Sequence, residues 1–499
     1  MSKRKRQFLS PDQFRTGLPG DVESCHELIY ELLEHVQSLQ DRLAAIEEKQ
    51  GTSSRNSSKP PSSDSPEQRS QREKKARSGR KRGGQPGHTR HQRLLLDESA
   101  IPDAHLYRHY PDSRCPCGGW RVISTIPVVR HQVFDLPVVH YDVDEHQLFE
   151  ATCPCCDKKA RGALPPGIPG GQMGPGLISF ITLMNGAYTQ SIRSIQRLLQ
   201  AQWQLDFSIG AISQATRPVS AWLAPLYLQA FEAVRAEPVV HADETLHYRR
   251  QDKFWLWVMC SPSVAVFMTH RSRGKCAANE LLGDFKGVLV TDQHGGYNDH
   301  ETFMRQLCWS HLIRKFKKMA GRVGKAGKIG QRLLRLSQLM IHFHNRWLKG
   351  HYSDDCYRRR MARFRAEFHQ TLKQGAKLRL ALNPEKPGLT ANQCLRLLED
   401  EVMLWTFLRK PRVIPLTNNT AERAIRPYVI WRKISFASQS LRGDQFRPII
   451  LTVVETCKRL GVDAYKLLRK VCTQGMQGLD ITERLPIPKA ETELLPHLA

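Results

Sequence analysis

Acidic residues at the ends of two apolar runs are the first chemistry this chain offers. Val239-Val240-His241-Ala242-Asp243-Glu244-Thr245 reads as a strand running into a carboxylate, and Val288-Leu289-Val290-Thr291-Asp292 repeats the design 49 residues later. Asp243 and Asp292 can meet if their strands are neighbours in one sheet. Donors that are all oxygen suit a hard divalent cation, Mg²⁺ or Mn²⁺, better than zinc. Glu244 points to the opposite face of a strand and is a poor ligand. A third carboxylate stands in Asn418-Asn419-Thr420-Ala421-Glu422-Arg423-Ala424-Ile425-Arg426-Pro427. Asn419 followed by Glu422 also has capping-box spacing, which would make this glutamate structural. Against that, Arg423 and Arg426 follow at once and Arg432, Lys433 and Arg442 come soon after, a basic segment suited to phosphate. His311, in Cys308-Trp309-Ser310-His311, either contacts a phosphate or serves packing or helix capping.

Sulfur offers a second chemistry. The chain has 13 cysteines, and Cys115, Cys117, Cys153, Cys155 and Cys156 crowd together. Cys153 and Cys156 have the C-x-x-C spacing of a zinc knuckle, and Cys115 with Cys117 would complete a tetrahedral thiolate site for one structural Zn²⁺. Only Pro116 separates the first pair, Cys155 competes with Cys156, and His105 or His109 could replace a ligand.

The elements that must carry these groups follow from composition and periodicity. At 499 residues the chain has room for about three domains. Lys plus Arg (75) against Asp plus Glu (48) leaves a net charge of +27, which calls for a densely anionic partner, nucleic acid above all. No run approaches the ~18 apolar residues of a membrane span, and the N-terminal stretch lacks a signal-peptide apolar region, so a soluble intracellular protein is expected. Residues 22–48 carry four heptads, with Val22, Ile29, Val36 and Leu43 at one seam position and Cys25, Leu32, Leu39 and Ile46 at the other. That pattern favours a parallel two-stranded coil, and hence a homo-oligomer. Residues 51–66 are a Ser/Pro-rich linker. Between Arg69 and Arg93 ten Lys or Arg face the single Glu73, and Arg77, Arg80, Lys81 and Arg82 are the centre of a flexible phosphate-contacting arm. Ser191–Gln200 and Ser208–Arg217 have helix-turn-helix spacing, which ordinary helical packing explains equally. Short strands then alternate with a helix at Gly274–Leu282, and residues 311–382 are helical and strongly basic.

Five motifs in order carry a resemblance over nearly the whole chain: NSSKPPSSD (Asn56 to Asp64), GGQPGH (Gly83 to His88), HADET (His241 to Thr245), CWSHLIRKF (Cys308 to Phe316), and NNTAERAIRP followed by Arg432-Lys433. Together they resemble the successive signatures of the insertion sequence sixty-six family of bacterial transposases. The resemblance implies a leucine-zipper-like N-terminus, a zinc-binding module, and a ribonuclease H-like catalytic domain with an Asp-Asp-Glu triad and a helical insertion before the Glu. Carried over by position, the triad is Asp243, Asp292 and Glu422. The Asp292-Gln293-His294-Gly295-Gly296-Tyr297 stretch departs from the family's usual Asp-Gly-Tyr continuation, and Cys115-Pro116-Cys117 is shortened.

The expected fold is α+β multidomain: coiled coil (1–50), linker and basic arm (51–100), zinc-binding module (101–165), helical, helix-turn-helix-like DNA-binding region (166–237), first catalytic part (238–310), basic helical insertion (311–415), final catalytic segment (416–460) and C-terminal helical element (461–499). The expected activity is Mg²⁺- or Mn²⁺-dependent cutting and transfer of double-stranded DNA, element ends and target alike, by two ions about 3.5 to 4 Å apart. Direct in-line attack needs no covalent protein intermediate. Accessory proteins of the same element are plausible partners, and the bacterial cytoplasm, at the nucleoid, is the expected location. A DNA-binding regulator without catalysis is the rival reading; it accounts for residues 1–160 and leaves the strand-end acids without a purpose.

Overall fold

A computed structural model describes residues 21–23, 25, 26, 29, 32 and 36, together with 94–489 apart from 123–125, 137–139, 169, 380–387 and 436–437. Arg77, Arg80, Lys81 and Arg82 of the basic arm lie outside the described residues, as do Leu39, Leu43 and Ile46 of the heptads. The five described heptad residues, Val22, Cys25, Ile29, Leu32 and Val36, are helical, and apart from Cys25 their side chains are exposed.

The chain divides into two compact units, residues 66–144 and the remainder. In the smaller, Leu96 and Gln132 exchange two hydrogen bonds of 3.0 Å, and Arg114 bridges Trp120 across the turn that holds Cys115 and Cys117. In the larger, a two-stranded ribbon of β1 (Glu150–Thr152) and β2 (Lys159–Arg161) flanks Cys153 to Cys156.

Four helices follow: α1 (Pro175–Gly186), α2 (Ile192–Trp203), α3 (Ile209–Ala215) and α4 (Val219–Arg235). Ser191 and Ser208 start α2 and α3 by accepting the N–H of Ser194 and Ala211, so both short helices have side-chain N-caps. The central sheet comes next, built from β3 (Val239–Arg249), β4 (Asp252–Cys260), β5 (Ala265–His270), β6 (Val288–Thr291) and β7 (Arg305–Leu307) in the order β5-β4-β3-β6-β7. β3 to β5 form an antiparallel meander, whereas β6 and β7 run parallel to β3. Parallel pairing requires crossovers, and α5 (Lys275–Leu282) occupies the one between β5 and β6.

Strand alternation divides the core. Val240, Ala242, Trp257, Met259 and Leu289 face a layer that includes α1, α4 and α5. Leu256, Val258 and Phe267 face α11 (Asn419–Ser435), while Val239, Val288 and Val290 on that same side join the core of an inserted helical body. That body comprises α6 (Trp309–Ala320), α7 (Gly324–Leu348), α8 (Asp354–Ala376), α9 (Leu389–Glu399) and α10 (Glu401–Trp405). Its centre is aromatic, with Trp309, Phe316, Phe368 and Trp405 in edge-to-face contact.

The last helices, α12 (Leu441–Leu460) and α13 (Ala464–Met476), complete the first layer. Buried His247 of β3 holds Asp444 of α12 at 2.9 Å and contacts the Tyr428 hydroxyl of α11, fixing both helices to the central strand. Both sheet edges are covered. Thr452 and Thr456 of α12 accept the N–H groups of Phe267 and Ala265 on β5, and Tyr227 donates to the Phe267 carbonyl. On β7, Thr406 donates to the Arg305 carbonyl and Gln306 accepts the Phe407 N–H. Among the described residues no helix is long and apolar enough to cross a membrane.

Candidate active site

The parallel register of β3 and β6 pairs Val239 with Val288, Val240 with Leu289 and His241 with Val290. Continued two residues further, it sets Asp243 level with Asp292. Odd-numbered residues of β3 and even-numbered residues of β6 share one face, so Asp243 lies on the α11 side of the sheet; Asp292 stands just past the end of β6, where its charge reaches both Asp243 and Glu244. Asp243 accepts a hydrogen bond from the Glu244 N–H at 2.9 Å, and Asp292 accepts one from the His294 N–H at 2.9 Å. Burial, then the charges of Glu244, Asp292 and Glu422, push the Asp243 carboxyl well above the usual carboxylate range.

Glu244 lies on the other face, as its position predicts. Arg273 donates to its Oε1 at 2.8 and 3.1 Å, and the buried Tyr297 hydroxyl donates to Oε2 at 2.9 Å.

Glu422 reaches the site from the first turn of α11. Its backbone N–H bonds the Asn418 carbonyl at 3.2 Å, which makes Asn418 the residue at the helix entrance. The capping-box expectation built on Asn419 is therefore corrected. The Glu422 carboxylate turns to α6, with Oε1 3.6 Å from His311 Nδ1 and Oε2 3.8 Å from Arg314. Fully buried Asn418 locks this arrangement to β3: its amide donates to the Ala242 carbonyl at 2.7 Å and its Oδ1 lies 3.1 Å from His241 Nδ1. Burial holds the His241 imidazole down at about 4, so the ring is neutral.

The charges of Asp292 and Glu422 both reach Asp243, but among the described residues the group of potential ligands that lies within 4.8 Å is Cys308, His311 and Glu422 and not the three carboxylates; Glu422 Oε1 is buried without a hydrogen-bond partner. An all-oxygen donor set of Asp243, Asp292 and Glu422 fits Mg²⁺ or Mn²⁺. Around it, on one helical face of α6, stand His311, whose imidazole burial pushes down toward the neutral form, and the cationic Arg314 and Lys315. Lys315 bonds the Gln293 side chain and is attracted by Asp292. The sequence reading singled out His311 alone; the i, i+3, i+4 spacing was the signal for the other two.

The basic residues after Glu422 separate. Arg423, Arg426 and Lys433 are exposed, whereas Arg432 turns inward and donates to Thr245 Oγ1 at 3.1 Å and to the Leu246 carbonyl. One nitrogen of its guanidinium, Nη1, is thus engaged with β3, and the residue is half-buried where Arg423, Arg426 and Lys433 are exposed. A larger basic surface lies on the inserted body. Lys328, Arg332 and Arg335 of α7 and Arg360 and Arg363 of α8 line a cleft of about 670 Å³ in which Glu367 is the one acid.

The cysteine pairs fall in different units. Gly119 N–H and then Cys115 lower the Cys117 thiol, and the N–H groups of Cys155 and Cys156 lower that of Cys153. Each turn therefore favours a thiolate.

Residues 170–445, which include all three acids of the site, match the family model described as Transposase IS66 family. Residues 19–94 match a family of unknown function, DUF6444. Three uncharacterized proteins of Sinorhizobium fredii (strain NBRC 101917 / NGR234) are similar. Protein y4qI is 27% identical over 325 residues, 58% of this chain and 55% of that protein, so the match spans little more than half its length. Protein y4jD is 22% identical over 65% of this chain and 68% of its own, and y4hP is 22% identical over 71% and 69%.

Proposed function

The chain belongs to the Transposase IS66 family, and from that premise we propose that it is a DNA transposase that binds the ends of its element and cuts and joins strands at Asp243, Asp292 and Glu422. The observation that carries the reading is that two of these acids come from adjacent parallel strands and the third from α11, with the charges of Asp292 and Glu422 reaching Asp243 and with Glu422 beside Arg314 of α6. We read the sheet as ribonuclease H-like. Supporting this, β3 is central, with an antiparallel meander on one side and parallel β6 and β7 on the other, and the inserted helices precede Glu422.

Two Mg²⁺ or Mn²⁺ ions held by the three carboxylates would supply charge neutralisation and a more acidic water. The protein's own groups do the rest. His311 and Arg314 stand where a scissile phosphate would meet Glu422, and Arg314 can stabilise charge that builds on non-bridging oxygens. Asn418 positions Glu422 through its bonds to β3. The cleft between α7 and α8 is a phosphate-backbone track, and exposed Arg423, Arg426 and Lys433 extend the basic surface near the site. Arg77, Arg80, Lys81 and Arg82 are assigned to the same backbone-contacting role. Cys115 and Cys117, and likewise Cys153 and Cys156, are read as ligands of structural Zn²⁺. The exposed apolar seam from Val22 to Val36 supports self-association through residues 22–48, which would bring two element ends together. Accessory proteins of the element and a nucleoid location in the bacterial cytoplasm belong to the same reading.

Incubating the purified chain with duplexes carrying candidate element ends, with and without Mg²⁺, tests this. Metal-dependent nicks and joined products are expected, and Glu422→Gln is expected to lose both while retaining the gel shift. A wild-type chain that binds ends but never cuts them would be a regulator instead.

A further inference from the structure

We propose that Cys308, His311 and Glu422 form a second cation site, one that takes a borderline ion of the zinc class and, when filled, withdraws Glu422 from Asp243 and Asp292. One ligand atom from each of the three residues lies within 4.8 Å of the others. His311 Nδ1 and Glu422 Oε1 face each other at 3.6 Å, too far for a hydrogen bond. Both atoms are buried without a hydrogen-bond partner. Bonds of about 2.0 to 2.3 Å to a tetrahedral ion set its donor atoms about 3.3 to 3.8 Å apart, so this nitrogen and oxygen already stand at the separation such an ion imposes. Arg314 approaches the other carboxylate oxygen, Oε2, and leaves Oε1 to the ion.

Cys308 supplies the donor that makes the site selective. It is the residue before α6, and its Sγ accepts the Asn418 N–H at 3.1 Å and further backbone N–H groups from Ser310 and His311. Burial pushes the Cys308 thiol up and these N–H groups only partly oppose it, so the sulfur keeps its proton until a cation arrives. An ion arriving there displaces the thiol proton to solvent. Sulfur and imidazole select Zn²⁺ or Co²⁺ over Mg²⁺, whereas the carboxylate pair on the sheet has the opposite preference. The Glu422 and His311 side chains are 29% and 13% exposed, enough for water to complete the coordination sphere.

Two cations of different softness therefore compete for one glutamate. The consequence for activity rests on the transposase reading above, whereas the binding site itself does not. Zinc would act as a brake on strand cutting, applied from the end of β6, where the Cys308 N–H bonds the Thr291 carbonyl at 2.8 Å.

The test uses the full chain and Co²⁺ as the probe, read by the thiolate charge-transfer band and by metal analysis after dialysis. Wild type is expected to bind one Co²⁺ more than Cys308→Ser, and that difference is expected to persist in a Cys153→Ser/Cys156→Ser background. His311→Gln is expected to weaken the same component by at least about tenfold. Equal Co²⁺ uptake and equal spectra in wild type and Cys308→Ser overturn the site. Should Cys308→Ser fail to fold, Cys308→Ala and the more accessible His311→Gln replace it in the same comparison. A second arm adds Zn²⁺ to Mg²⁺-dependent nicking: wild type is inhibited, and Cys308→Ser nicks with Mg²⁺ and resists Zn²⁺. A Co²⁺ site without zinc inhibition overturns the competition for Glu422. Absence of nicking under every condition overturns the transposase reading, while the Co²⁺ arm still decides the site.

Discussion

Asp243 and Glu244 are neighbours on one strand, and the two faces of the sheet treat them in opposite ways. Glu244 is buried with Arg273 and the Tyr297 hydroxyl on its oxygens, a satisfied acid that ties β3 to the segments after β5 and β6. Asp243 accepts one backbone N–H and otherwise meets the charges of Glu244, Asp292 and Glu422. Both are held above the usual carboxylate range, chiefly by burial. For Glu244 the charge of Asp292 adds to that shift, and His294 and Arg273 oppose it. The contrast separates an acid kept for structure from one kept for chemistry: the first has its countercharge within the fold, and the second must import it.

The largest expected effect comes from breaking the importing side. Asp243→Asn should slow Mg²⁺-dependent nicking at least about a thousandfold, since several kcal/mol of charge stabilisation is lost. In metal-free buffer the same variant should melt at a higher temperature than wild type, because the amide ends the repulsion with Asp292 and Glu422. Added Mg²⁺ should raise the wild-type melting temperature and leave that of the variant in place. A variant that melts lower and still gains from Mg²⁺ would erase the distinction between the two faces.

Glu244→Ala attacks the satisfied side. It leaves the buried Tyr297 hydroxyl unpaired and should cost about 2 kcal/mol in urea unfolding, with nicking per folded molecule unchanged. A selective loss of nicking would move Glu244 into the chemistry.

The smallest effect is in pH. His241, on the Asp243 face, is held down at about 4 when folded against about 6.5 in the unfolded chain, so protons bind the unfolded state more readily. Its contribution to stability is full above pH 6.5 and is lost as pH falls toward 4, about 1 kcal/mol of it by pH 5.5. Asp243 has the opposite sign: its raised pKa makes protonation favour the folded state, so the gain is full below the ordinary carboxylate pKa and is lost as pH rises through the raised value. Acid destabilisation should therefore be steeper in Asp243→Asn than in wild type, which melting curves between pH 7 and 5 would measure. Parallel curves would mean that Asp243 does not carry the repulsion assigned to it.

Much of this was legible in the chain. The apolar alternation of β4 and β5, the short apolar run of β6 and the helix between β5 and β6 follow from side-chain period; the strands that carry Asp243 and lead to Asp292 are neighbours as expected, but Asp243 sits in the middle of β3 and not at its end. The far half of β3 was not legible, because His241, Glu244 and His247 are polar residues buried with partners supplied by distant segments. β7 escaped for the same reason: Arg305 and Gln306 look like surface residues, yet both are buried, with Asn298 on the first and the backbone around Leu404 on the second. Glu422 was ambiguous because two adjacent asparagines offer two helix starts, and only the Asn418 contacts to β3 choose between them. The bonds of Arg432 Nη1 to Thr245 and Leu246 were not legible, since charge alone does not say which way a guanidinium points.

The threonines of α12 carry a consequence for chains that end early. β5 is an edge strand whose outward N–H groups at Ala265 and Phe267 are satisfied by Thr456 and Thr452, side chains synthesised almost two hundred residues later. A product ending just before Leu441 would have its sheet and all three of its acids but an open edge of unpaired amides beside apolar side chains. Such an edge is a template for strand addition by another chain. Interrupted copies of this gene would then yield insoluble protein instead of inactive competitors for DNA ends, so the C-terminal helix makes an intact reading frame a condition of solubility.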